Sequence, residues 1–230
     1  IRDRIATLLQ AAITALVLIL LPLSRVKPNW PAGTGPRMGA YFLLLGLAFL
    51  FIEMAFIQKF ILFLSHPLYS VAVVLSGFLV FAGLGSAWSE SLAGKLEGIG
   101  RSPVAIAVGS IALLTILYVI LLPLVFQHFI GYSDLLKIAI SIVLIAPLGI
   151  SMGMPFPLGL KHVAATAPDF VPWAWGINGF ASVISAVLAT LLAIEFGFVV
   201  VIMVALASYA MAALIFTSSL GSKSPSPLHQ

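Results

Sequence analysis

The chain reads as an all-α protein, a polytopic transmembrane helical bundle of about seven spans. Three observations carry that reading. Of its 230 residues, 62% are hydrophobic and only 8% are charged, against roughly 25% charged in soluble domains. The apolar residues gather in runs long enough to cross a bilayer as helices, which takes about 18 or more. Between the runs lie short segments rich in Pro, Gly, Ser and charge. So much apolar surface cannot be hidden in a water-soluble core of this size, and lipid must solvate much of it.

The first span is Ile5–Leu23, preceded by Arg2 and Arg4. It ends in Leu21-Pro22-Leu23 rather than in a small-residue cleavage site, so it reads as a retained span and not a signal peptide. The next segment, SRVKPNWPAGTGPR, holds three prolines and two glycines and reads as a linker. Residues 1–37 thus form a lead-in helix with its linker, 38–218 a six-helix bundle, and 219–230 a Ser/Pro-rich tail expected to be disordered.

Within the bundle the second span is Gly39–Leu64 and the third Tyr69–Trp88. The charged stretch SESLAGKLEGIGRS reads as a hydrophilic loop. The fourth span, Pro103–Phe126, opens with a proline at a position a helix tolerates. The fifth begins near Asp134, with Ser133 beside it as N-cap; it contains Pro147, and Pro155 and Pro157 should kink or end it. The sixth is Trp173–Phe196, and Gly197 separates it from the seventh, Phe198–Phe216. With this count Arg25, Lys27, Arg37, Lys95, Arg101, Lys161 and Lys223 lie on one side, and Arg2, Arg4 and Lys137 on the other. The positive-inside rule then puts the C-terminus in the cytoplasm and the N-terminus outside.

Composition excludes several classes. With no cysteine there are no disulfides, thiolate nucleophiles or Cys-based metal sites. The net charge of +4 is scattered, with no basic track for nucleic acid. No spacing suggests a catalytic constellation, a cofactor-binding loop or a metal site. Gly83-Leu84-Gly85-Ser86 ends a membrane helix instead of following a strand, so a dinucleotide fingerprint fails there. The seventh span has no lysine for a retinal Schiff base.

Ionisable groups inside spans are costly and default to functional candidates. Glu53 is central to its span, where a carboxylate costs about 2.5–3.5 kcal/mol on insertion scales. It should therefore face the bundle interior, with Gly46, Phe49, Leu50, Ile57 and Phe60 on or near its face. A structural carboxyl bonded to a neighbouring helix and a proton or cation-substrate site both fit the residue. Lys59 sits about 120° around the helix and about 9 Å along it from Glu53, so it should snorkel to the interface. Gln58 reads as an interhelical hydrogen-bonding group, and His66 as a turn residue.

In the sixth span Asn178, Ser182 and Ser185 recur at i, i+4, i+7 beside Gly179 and Ala186, a polar, small face and the natural partner for Glu53. Trp173 and Trp175 read as an interfacial belt. Ser76, Gly77, Ala82, Gly83, Gly85 and Ser86 suggest close helix contact, as do Gly149, Gly153 and Gly159 near the broken fifth span. The candidate intramembrane polar site is Glu53, Gln58, Asn178 and Ser182.

The succession GLAFLFIEMAFIQKFILFLSHPLYSVAVVLSGFLVFAGLGS, SMGMPFPLGL and PWAWGINGFASVISAVLA resembles the membrane part of bacterial fused major-facilitator-like/spermidine-synthase-like proteins. The E-x4-Q-[KR] helix, H-P-x-Y turn, G-L-G-S exit and W-x-W-G-x-N-G element occur together and in order over residues 38–198. The resemblance implies that the last six spans form a half-transporter-like unit in a bacterial inner membrane. It also implies a Rossmann-type aminopropyltransferase-like domain, to which nothing in this chain corresponds, so none of that family's catalytic residues carries over. Two functions follow as expectations. One is a non-catalytic membrane domain, acting as a transporter-like half-bundle or as an anchor or subunit of a larger assembly. Its partners would be the lipid bilayer and a second half-bundle, a copy of itself or another membrane subunit, with a small-molecule substrate unspecified. The other is the membrane module of an aminopropyltransferase-like enzyme whose catalytic domain lies elsewhere.

Overall fold

Backbone polar groups inside a bilayer have no water to bond, so a single-chain span must satisfy them internally as helix. The computed structural model follows that rule throughout the residues it describes, 2–25, 34–98 and 102–221. Helix α1 (Arg2–Ala15) runs through a wide π turn (Leu16–Leu20) into the short α2 (Leu21–Leu23). The wide turn immediately precedes Pro22, which has no N–H and crowds the carbonyl four residues back. Then come α3 (Thr34–Leu64), α4 (Pro67–Glu97), α5 (Pro103–Phe129), α6 (Asp134–Met152) and α7 (Pro155–Thr166). A 3-10 turn (Pro168–Phe170) leads to α8 (Val171–Phe196) and α9 (Phe198–Gly221). Among the described residues, seven helical stretches are long and apolar enough to span a membrane, α6 with α7 forming one of them.

Several boundaries have visible chemical causes. Pro67, Pro103 and Pro155 open their helices at positions whose N–H would be unpaired anyway. Ser102 caps α5, its hydroxyl accepting from the Ala105 N–H at 3.4 Å. Gly197, between α8 and α9, holds φ 85° and ψ 172°, a region essentially closed to side chains with a Cβ. The break between α6 and α7 falls at Gly153-Met154, just ahead of Pro155, as the prolines predict.

Two expectations need correction. The stretch beginning SESLAGKLE is helix, not loop: α4 continues to Glu97. Charge ends the membrane span there, but Leu, Ala, Lys and Glu are good helix formers and carry the helix through Gly94 as far as Glu97. Likewise α3 starts at Thr34, ahead of the Gly39 expected from hydropathy; Pro36 lies in its first turn, where proline is tolerated. The rest of the expected linker, 26–33, and the tail at 222–230 lie outside the described residues.

Helix α3 is the hub. In its most apolar window 61% of the residues are buried, against 6% for the first span, which is peripheral. It packs chiefly on α8 and α9, and also on α4. Its aromatic residues interlock with the neighbours: Phe63 stacks on Phe126 of α5 at 4.4 Å, and Phe56 meets Phe78 of α4 edge-on at 5.4 Å. Close helix approach comes from glycines. A Cβ on Gly46 would sit 2.6 Å from the Asn178 carbonyl oxygen, so α3 and α8 nearly touch backbones there. At the α4–α6 crossing, Gly85 lies against the Ile150 carbonyl and Gly153 against the Ala82 carbonyl. Gly149 and Gly159 are similarly tight, against Phe81 and Tyr41. Gly83 and Gly179 are not packing positions: a Cβ on either would meet nothing within 4 Å. Residue size reveals which positions allow close approach, but the azimuth of each helix decides which of them are used.

Candidate functional site

Placing α3 at the centre puts the Glu53 face at a cleft of about 730 Å³. Leu45, Gly46, Phe49, Leu50 and Glu53 of α3 line it, at the i, i+3, i+4 spacing of one helical face. Helix α4 supplies one wall, with Leu75, Ser76, Leu79 and Ser86. The α6–α7 break and α8 supply the others, and Tyr209 of α9 contributes as well. Helices α4 and α8 form no substantial interface with one another. The cleft is open-sided along that gap, where Leu79 and Trp175 are 76% and 60% exposed.

Glu53 itself is buried, 6% exposed, and lines the cleft. Among the described residues its carboxyl forms no hydrogen bond or ion pair. Asn178 and Ser182 line the same cleft but do not bond Glu53. Asn178 Nδ2 donates across the interface to the Phe42 carbonyl at 3.1 Å, and the Ser182 hydroxyl turns back to the Asn178 carbonyl at 2.9 Å. Ser185, next on that face, donates to the Leu47 carbonyl of α3 at 2.8 Å. The polar face of α8 therefore serves partly as interhelical fastening. Such bonds average about 0.6 kcal/mol in membranes because the unfolded chain also finds partners.

Gln58 lies away from this group: it does not line the cleft, and its side chain makes no hydrogen bond among the described residues. Among those residues the expected interhelical bond is not formed. Lys59 sits near the end of α3 as expected, its ammonium 4.5 Å from the ring centre of Phe198 at the start of α9. Trp175, expected as a belt residue, is a wall of the cleft and meets Phe156 edge-on at 4.7 Å. Trp173 is half-buried against the core.

Sequence reasoning missed Tyr209. It is 1% exposed, lines the cleft, and its hydroxyl has no hydrogen-bond partner among the described residues. The available signal was a lone phenol in the middle of the last apolar span, since a buried Tyr hydroxyl normally finds a partner. The contrast is Tyr41, also fully buried, whose hydroxyl donates to the Pro155 carbonyl and ties α3 to α7.

Electrostatically the cleft is one-signed. Among the described residues Glu53 is the only charged one on its wall, and no Lys, Arg or His lines it. Helix α6 ends there, bringing the negative end of its dipole. Helix α7 begins there with Pro-Phe-Pro, so two of its first three residues bring no N–H. Among the described residues no cluster of His and carboxylates is arranged to hold a metal ion.

Comparison with family models, with curated proteins and with solved structures returns no match. The chain is an integral membrane helical domain.

Proposed function

We propose that this chain is a non-catalytic, transporter-like membrane domain. In this reading α3–α9 form a half-bundle whose Glu53 cleft is one side of a small-molecule site. The observation that carries it is the cleft, a buried carboxyl without a partner among the described residues, in a cavity left open between α4 and α8. A purely structural carboxyl would be bonded, because leaving it unpaired in hydrocarbon costs several kcal/mol. Transporter folds place such sites near the midplane, between two helical repeats and beside broken helices. Here the α6–α7 break lines the site and a second repeat is what the open side lacks. A second half-bundle, a copy of the chain or another membrane subunit would complete it. The motif resemblance supports the same reading, since Asn178 of the W-x-W-G-x-N-G element faces the cleft. By that resemblance the domain would sit in a bacterial inner membrane, and the lysine and arginine asymmetry would put its C-terminus in the cytoplasm. The alternative that the resemblance carries is a membrane module serving an aminopropyltransferase-like enzyme.

The cysteine-free chain allows a direct test. A Ser182→Cys protein in native membranes should react with a small charged thiol reagent added to the water phase, because a working site is wet. A photo-crosslinking residue at Leu79 should give an adduct with a second membrane polypeptide, while one at Leu113, exposed on α5, should not. An unreactive Ser182→Cys protein together with no adduct at Leu79 would leave a plain anchor as the better reading.

A further inference from the structure

The Glu53 cleft fits one class of ligand. We propose that it binds a monovalent organic cation with an apolar body. This deepens the function proposed above and rests on the cleft being a ligand site.

Charge selects the sign and the number. Among the described residues Glu53 is the only charged side chain on the cleft wall, so a single positive charge is matched and a polycation would carry unpaired charge into hydrocarbon. An anion meets no basic residue there and few free N–H groups, because α7 opens with Pro155 and Pro157. The C-terminal end of α6 adds partial negative charge on the same side.

Shape and surface select the body. Phe49, Phe156 and Trp175 contribute aromatic surface to the walls, and aromatic faces attract organic cations. The volume of about 730 Å³ far exceeds a bare metal ion and lies within the range of drug-sized ligand pockets. The unbonded Tyr209 hydroxyl lines the same space. A ligand in this space can set its cation against the Glu53 carboxylate and an acceptor against this hydroxyl. Two polar ends that find no partner among the described residues would then both be satisfied.

The probe pair tetraphenylphosphonium and tetraphenylborate has one size and opposite charges. Equilibrium dialysis of labelled tetraphenylphosphonium against the full chain in lipid nanodiscs, with empty nanodiscs as reference, should give saturable binding at one site per chain. Excess unlabelled phosphonium should displace it, and labelled tetraphenylborate, dialysed separately, should show no saturable binding. Glu53→Gln, checked for folding by circular dichroism, should weaken the affinity at least tenfold. Saturable tetraphenylborate binding of equal affinity would overturn the proposal on the native chain alone, whatever the variant does. So would full affinity in a folded Glu53→Gln protein, or no saturable phosphonium binding. If the Ser182→Cys thiol is labelled from water and Leu79 finds a partner while phosphonium does not bind, the transporter-like reading stands and the cation assignment falls.

Discussion

Glu53 of α3 and Tyr209 of α9 line one cleft from two helices that pack together, and neither side-chain polar end is hydrogen-bonded among the described residues. Both are almost fully buried, at 6% and 1% exposure. Most buried polar groups in folded proteins are paired, and those that are not ask for an explanation. Two of them meeting at one cavity mark that cavity as the place to look for a ligand.

This pair gives a stability prediction with opposite signs for two tyrosines. Tyr209→Phe removes an unpartnered buried hydroxyl and should leave the protein as stable or raise its thermal midpoint in detergent. Tyr41→Phe removes the bond to the Pro155 carbonyl and should cost about 0.5–1.5 kcal/mol. Differential scanning fluorimetry of the two variants side by side checks it; a drop for Tyr209→Phe matching that for Tyr41→Phe would show a hidden partner.

Glu53→Gln should melt close to the parent protein. No hydrogen bond or ion pair among the described residues holds the carboxyl in place, and an amide of the same shape relieves any charge in hydrocarbon. A fall of more than about 2 kcal/mol in reversible unfolding would mean that Glu53 is a structural group after all.

Glycine substitutions should divide sharply. Gly85→Leu and Gly153→Leu place side chains against the backbone of the facing helix, and overpacking of that kind costs about 1–3 kcal/mol or more. Gly83→Leu and Gly179→Leu meet open space and gain helix propensity, so their melting should be unchanged or slightly higher. Equal losses in all four would mean the α4–α6 crossing is rotated from the one described.

Gly197→Ala should destabilise by about 1–3 kcal/mol without touching any core contact, because φ 85° with ψ 172° suits only glycine. Thermal unfolding in the same detergent measures this. A neutral result would require the α8–α9 junction to adopt another conformation.

Topology is testable with single cysteines. A cysteine replacing Ser65, at the α3–α4 turn, should be labelled from the face opposite to one replacing Ser91 or Thr166, which lie toward the other end of α4 and at the end of α7. Impermeant maleimide added to sealed vesicles decides it, and labelling at positions 65 and 91 from one side would break the order of spans.

The sequence alone was enough for the class and the order of elements. Run length, proline positions and the near-lack of charge are one-dimensional facts, and the bilayer turns each apolar run into a helix because nothing else can satisfy its backbone. The same cost in hydrocarbon made Glu53 visible, and helical spacing placed Gly46, Phe49 and Leu50 beside it. What hydropathy could not see was helix continuing into water, as α4 does to Glu97, since polar residues end a span without ending a helix. Tertiary structure alone decided which small residues touch, that Asn178 spends its amide on Phe42, that Gln58 stands apart, and that Tyr209 shares a cavity with Glu53. Those outcomes depend on the relative rotation and register of helices far apart in the chain. They are set by how side chains interlock across each interface, and no local pattern encodes them.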